Sequence, residues 1–83
     1  MNQNEKLIEL GNRKSVESSK MRELAFRQMM DDTELVWTEE MDSEEREQTM
    51  VVIQENFDSD ISKALRLLNE ANDCWNRASQ LKN

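Results

Sequence analysis

The 83-residue sequence contains no proline and a single glycine, Gly11. These two residues punctuate turns and end helices, so their near absence leaves few places where a helix has to stop. The remaining composition is rich in Glu, Lys, Arg, Leu, Met, Gln and Ala, all of which favour the helical state. We therefore predict an all-α protein.

Histidine is also absent, and Cys74 is the only cysteine. An intrachain disulfide and a zinc site built from Cys and His are thereby excluded. The sequence offers no histidine base and no glycine-rich phosphate loop, and Cys74 lies in an apolar stripe, where a thiol stays inert. We predict a non-enzymatic protein without catalytic, cofactor-binding or metal-binding residues.

Long apolar runs are lacking as well. The longest comprises residues 50–53, far short of the roughly 20 residues that span a bilayer. The N-terminal residues lack the basic and apolar segments of a secretory signal, and a single cysteine suits a reducing compartment. We expect a cytoplasmic protein that does not associate with membranes.

Apolar residues recur regularly in the second half of the chain. Alternate steps of three and four residues from Met50 meet nine apolar or small residues out of ten, as in the a and d positions of a coiled coil. These positions are Met50, Ile53, Phe57, Asp60, Ala64, Leu67, Ala71, Cys74, Ala78 and Leu81. Further apolar residues widen the stripe, so that it can bury against more than one helix: Ile61, Leu65, Leu68 and Trp75. The first half is less regular, and one heptad phase there contains Leu7, Leu10, Met21, Leu24 and Leu35.

The best candidate for a helix start in mid-chain is Asp42, a capping residue with Glu45 three positions later. It predicts an antiparallel helical hairpin within a single domain 1–83, with helices at about 13–41 and 43–82 and a turn at 42–43. Residues 1–12 are expected to be frayed because Gly11 interrupts the pattern. An additional start at Asp58 is the alternative, and it gives a three-helix bundle.

A two-helix hairpin leaves part of its apolar stripe uncovered. Two hairpins can cover it by pairing into a four-helix bundle. We therefore expect a homodimer, and the residues predicted to mediate self-association are Ile53, Phe57, Leu67, Leu68 and Trp75.

Charge is strongly segregated along the chain. Residues 31–60 contain twelve acids and one base for a net charge of −11, whereas residues 1–30 and 61–83 each carry +2, giving −7 overall. Phosphate binding requires clustered Lys and Arg, so direct contact with nucleic acid is not expected. In a hairpin the acidic block forms the turn end, which either docks on a basic protein surface or simply faces solvent.

Three consecutive apolar residues, Leu35, Val36 and Trp37, interrupt the acidic block, and one face of a helix cannot bury all three. The residues predicted to bind a partner are Leu35, Val36, Trp37, Glu39, Glu40, Glu44 and Glu45. The predicted function is a protein–protein interaction module: an adaptor, a small chaperone or an assembly subunit. The alternative is a small acidic inhibitor, of the kind that a phage or plasmid encodes, which blocks a basic or nucleic-acid-binding surface of its target.

Overall fold

A computed structural model of the protein describes residues 2–81, which form two antiparallel α-helices. Helix α1 comprises Gln3–Thr38 and helix α2 comprises Ser43–Leu81, with a short turn between them. The hairpin is a rod measuring 62 × 15 × 10 Å. The predicted all-α hairpin is confirmed, and the three-helix alternative is wrong because α2 continues without interruption past Asp58.

Capping residues fix the N-terminal end of each helix. The Asn2 side-chain oxygen accepts a hydrogen bond of 2.8 Å from the backbone N–H of Glu5, and Asp42 accepts one of 2.8 Å from Glu45. Each bond satisfies an N–H group that has no partner within the helix. Helix α2 therefore begins next to Asp42, as the capping pattern predicts, while its predicted end at residue 82 lies outside the described residues.

Helix α1 begins ten residues before the predicted position and passes through Gly11, so residues 3–12 are helical rather than frayed. The reason is the indole of Trp75, which lies directly over Gly11. A Cβ atom on Gly11 would come within 2.5 Å of the indole Nε1. The same Nε1 donates a hydrogen bond of 3.2 Å to the side-chain oxygen of Asn12. This packing outweighs the roughly 1 kcal/mol that glycine costs inside a helix.

The two helices meet along a seam of small residues. Buried small residues occur at seven-residue spacing in both helices: Gly11, Ser18 and Ala25 in α1, and Ala64, Ala71 and Ala78 in α2. The Ser18 hydroxyl donates a hydrogen bond of 2.7 Å to the backbone carbonyl of Ala64, and the Asn4 amide donates to that of Ala78. Such short side chains reach the opposite backbone only where two helices approach closely. The seam therefore fixes an antiparallel register in which Ser18 faces Ala64.

The heptad phase read from the sequence coincides with this seam in α2 but not in α1. The buried residues of α2 all belong to the predicted repeat: Ile53, Ala64, Ala71, Cys74 and Ala78. In α1 the predicted phase, which contains Leu10 and Leu24, flanks the seam instead of forming it. Both leucines are exposed, at 39% and 61% respectively.

Candidate functional site

The turn end of the hairpin separates the three consecutive apolar residues that the sequence grouped together. Val36 points into the seam and is 1% exposed, whereas Leu35 is 53% exposed and Trp37 66% exposed. Successive residues of a helix are about 100° apart, so burying Val36 turns its two neighbours toward solvent. Val36, which the sequence placed in the partner-binding group, is therefore a core residue that no partner can reach.

Arg46 of α2 holds the turn end together. Its Nε donates a hydrogen bond of 3.4 Å to the backbone carbonyl of Val36, and its guanidinium carbon lies 5.3 Å from the centroid of the Trp37 ring. The last turn of α1 has no basic residue of its own. Arg46 thus supplies positive charge to the carbonyl end of α1 and a cation–π contact to Trp37. The indole is supported on one side by this contact and remains largely accessible to solvent.

The four glutamates predicted at this end are all exposed. Glu39 caps α1, since its backbone N–H donates a hydrogen bond of 3.0 Å to the carbonyl of Leu35. Glu44 and Glu45 occupy the first turn of α2, where negative charge is favourable because of the helix dipole. The structure therefore brings Leu35, Trp37 and the four glutamates to one exposed end of the rod.

The long sides of the hairpin differ from each other. Taking buried Gly11 as the direction of the seam, Asn12 lies about 100° to one side and Lys14 about 60° to the other. The hydrogen bond from Trp75 to Asn12 marks the first side, which we call the tryptophan side. A salt bridge of 2.8 Å from Lys14 to Glu70 marks the second, which we call the lysine side.

The tryptophan side is predominantly apolar. Phe26 lies two heptads after Asn12, hence on the same face, and its ring contacts that of Phe57 edge to face at a centroid distance of 5.0 Å. On α2 the apolar residues that share a face with Trp75 through steps of three, four or seven are Ile61, Leu65 and Leu68. Phe26 is 51% exposed and Leu65 is 49% exposed. This side therefore presents an apolar strip on α2 from Phe57 to Trp75, about 27 Å of the 62 Å length of the rod, with Phe26 beside it on α1.

The lysine side is more polar. The hydrogen bond to Glu70 raises the pKa of Lys14 above its usual range, and the negative charge of Glu70 acts in the same direction. Farther along, an open groove of about 370 Å³ is lined by Met21, Leu24, Ala25, Gln28 and Asp60. The leucines of the α1 heptad phase lie on this side as well, but polar and charged residues interrupt that phase at Lys14, Glu17, Gln28 and Asp31, so this side offers no uninterrupted apolar strip.

The five residues predicted to mediate self-association are divided among three places. Ile53 is buried in the seam of the hairpin, at 7% exposure. Leu67 is half-buried and, four residues before Ala71, lies toward the lysine side. The remaining three are half-buried on the tryptophan side: Phe57, Leu68 and Trp75.

Sequence reasoning missed two residues that shape these surfaces, Phe26 and Arg46. Arg46 is the only base within residues 31–60, which is a visible signal, but its contact with Trp37 requires both helices to be in place. Phe26 falls outside the heptad phase assigned to the first half of the chain. Only its distance of two heptads from Asn12 puts it on the tryptophan side.

Comparison with protein families, with characterised proteins and with solved structures gives no match for this chain. Neither described helix has a segment sufficiently long and apolar to cross a membrane. Within residues 2–81, no three His, Cys, Asp or Glu residues form a group that could hold a metal ion.

Proposed function

We propose that this protein is a non-enzymatic protein–protein interaction module that binds a partner protein through its acidic hairpin end. The observation that carries the proposal is the 66% exposure of Trp37, which Arg46 supports from one side. Tryptophan is enriched among the residues that contribute most to binding energy at interfaces. An indole held in place but left accessible is ready to enter a pocket on a partner.

The surrounding charge indicates what kind of partner this end accepts. Residues 31–60 carry a net charge of −11, and the four glutamates Glu39, Glu40, Glu44 and Glu45 are exposed beside the indole. A basic partner surface would be attracted over several ångströms and would associate faster at low salt. Trp37 would then limit dissociation, because the buried aromatic contact has to be broken before the partner leaves.

Pairing of two hairpins into a four-helix bundle is the second part of this proposal. Among the described residues, eleven large apolar side chains are exposed, while the seven buried apolar residues include four alanines and one cysteine. A two-helix rod with so small a core gains stability when its apolar strip is covered. The adaptor, small chaperone and assembly subunit named above all remain compatible with a bundle that has an exposed binding end.

The experiment that tests binding at the hairpin end is affinity capture from a cytosolic extract with three proteins: the parent chain, Trp37→Ala and Leu24→Ala. Leu24 is a matched control, because it is also a large apolar residue, 61% exposed, and lies away from the turn. A partner retained by the parent and by Leu24→Ala but lost by Trp37→Ala supports the proposal. A partner captured equally by all three proteins contradicts it, and so does the absence of any partner.

The alternative function, an acidic inhibitor, is favoured by the same exposed glutamates. It predicts that the captured protein is itself a nucleic-acid-binding protein and that the complex dissociates at high salt. Replacing Glu39, Glu40, Glu44 and Glu45 by lysine would then abolish binding, whereas Trp37→Ala would weaken it only slightly. An adaptor gives the opposite ranking of the two variants, so the pair distinguishes the functions.

A further inference from the structure

We infer that the tryptophan side is the surface that binds a second copy of this chain, and that the two hairpins pair antiparallel, so that their acidic ends lie at opposite ends of the bundle. This inference rests on the self-association part of the proposed function. It adds to that proposal the contact face, the orientation and the number of binding ends.

The hairpin exposes more surface than a compact protein of its mass, enough to supply an interface of standard size. The chain has an accessible surface of 6372 Å². A compact monomer of 9.8 kDa is expected to expose about 5,200 Å². The excess of about 1,200 Å² exceeds the roughly 800 Å² that each partner buries in an interface of standard size. The radius of gyration agrees, at 18.7 Å against about 12 Å for a compact domain of this length.

The tryptophan side is the better candidate for the contact face because no charged residue interrupts its apolar strip between Phe57 and Trp75 on α2. It includes two rings in edge contact, Phe26 and Phe57, and the half-buried indole of Trp75. The lysine side would place the Lys14–Glu70 salt bridge and Asp60 in the interface, and burying such charges costs several kcal/mol unless each keeps its partners. A second copy therefore covers the tryptophan side at lower cost.

Charge complementarity selects the antiparallel orientation. In the register fixed by Ser18 and Ala64, the turn half of the hairpin comprises residues 22–60 with a net charge of −10, and the open half comprises residues 2–21 and 61–81, which together carry +2. A parallel pair would place the two acidic ends side by side, where like charges repel. An antiparallel pair places each acidic end beside the basic open end of the other copy.

The position of the apolar strip fits this orientation. In the register fixed by Ser18 and Ala64, Leu65 lies opposite the middle of α1, and the strip extends from there toward Trp75 in one direction and Phe26 in the other. A two-fold axis near Leu65 therefore superimposes the strip of one copy on that of the other, as an isologous interface requires. The resulting bundle has one Trp37 site at each end, about 60 Å apart, and can bridge two partner molecules.

The contact face is tested by analytical ultracentrifugation of two matched variants, Leu65→Lys and Leu24→Lys. Leu65 follows Ala64 and Leu24 precedes Ala25, so each lies about 100° from the seam, on opposite sides of the hairpin. Both leucines are exposed, at 49% and 61%, so neither change disturbs the core of a single hairpin. We expect a dimer for the parent and for Leu24→Lys, and a dimer dissociation constant at least about 100-fold higher for Leu65→Lys. A monomeric parent at 100 µM, a larger assembly, or equal effects of the two variants overturns the inference.

The orientation is tested by the distance between spin labels at the two turn ends. Each chain carries one label, attached to Ser43→Cys in a Cys74→Ala background, so that a dimer contains one pair of labels. Ser43 is exposed, and no other cysteine remains to react with the label. We expect about 60 Å between the labels. A separation below about 30 Å means parallel pairing and overturns the inference, even if Leu65→Lys fails to fold. Neither measurement involves a partner protein, so their failure is distinct from failure of Trp37-dependent binding.

Discussion

Replacing Gly11 by alanine should destabilise the hairpin, although the same change stabilises an ordinary helix. Alanine is favoured over glycine inside a helix by about 1 kcal/mol. At this position the new methyl group would lie 2.5 Å from Nε1 and 2.6 Å from Cδ1 of Trp75, so the indole has to move. Overpacking of this kind costs about 1–3 kcal/mol, and loss of the bond from Trp75 to Asn12 costs about 0.5–1.5 kcal/mol. The expected net loss in the free energy of unfolding is about 1–3 kcal/mol.

A second background reverses the expected sign. In a Trp75→Ala protein the indole is gone and its clash with the methyl group is removed, so Gly11→Ala should stabilise by about 1 kcal/mol. Urea unfolding of the four proteins, followed by circular dichroism at one chain concentration, measures both effects. The effect of Gly11→Ala is compared within each background, so the contacts that Trp75 makes elsewhere cancel. The difference between the two effects is the coupling energy between position 11 and Trp75. Equal stabilisation by Gly11→Ala in both backgrounds would show that the indole does not lie over Gly11.

Three other substitutions test the seam, the turn end and the salt bridge. Ser18→Ala should lower the free energy of unfolding by only about 0.5–1.5 kcal/mol, because the Ala64 carbonyl keeps its hydrogen bond within α2. Ser18→Leu should lower it by about 1–3 kcal/mol more, because the larger side chain overfills the seam. Similar urea midpoints for the two variants would contradict close packing of the helices. Arg46→Ala should lower the free energy of unfolding by about 1–2 kcal/mol and increase quenching of tryptophan fluorescence by the neutral quencher acrylamide, and unchanged quenching would mean that the cation–π contact does not protect the indole of Trp37. Lys14→Gln should lower the urea midpoint at pH 7–9. Because Glu70 raises the pKa of Lys14, the stabilisation by this salt bridge is complete below the unfolded-state pKa of about 10.4 and disappears as pH rises through the higher folded-state pKa. The urea midpoints of the parent and of Lys14→Gln should therefore converge at high pH. A difference between the midpoints that persists at high pH would assign the effect to packing.

The sequence predicts the fold class and the start of α2 well because both depend on local patterns, whereas α1 ends at Thr38 rather than at residue 41 and the turn comprises residues 39–42 rather than 42–43. The capping pair at Asp42 and Glu45 marks the start of α2 correctly, and the heptad repeat of that helix includes bulky members such as Ile53. These features need no knowledge of the opposite helix.

The seam face of α1 escapes sequence analysis for a physical reason. Gly11, Ser18 and Ala25 form it, and such small residues add little to any hydrophobic pattern. These residues occupy the seam because the backbone of the other helix lies close to them. That distance depends on both helices and cannot be read from one of them. The larger leucines of α1 dominate the pattern instead and lead to a phase that flanks the seam.

The candidate site is predictable to a similar degree. The sequence shows that Leu35, Val36 and Trp37 cannot all be buried, but the choice among them depends on the register against α2. The structure selects Val36 for the core and leaves Trp37 at 66% exposure. Support of the indole by Arg46 depends on the same register, since the two residues are on different helices.

The position of Cys74 makes its thiol a reporter of local opening between the two helices. The thiol is 7% exposed and lies in the seam at the open end of the rod. A thiol reagent can reach it only when the two helices part locally, so the labelling rate measures the free energy of that opening when closing is fast. Opening near Trp37 leaves the rate unchanged, because the turn is at the far end. Labelling of the native Cys74 therefore distinguishes opening at the open end of the rod from motion at the turn end without an engineered cysteine.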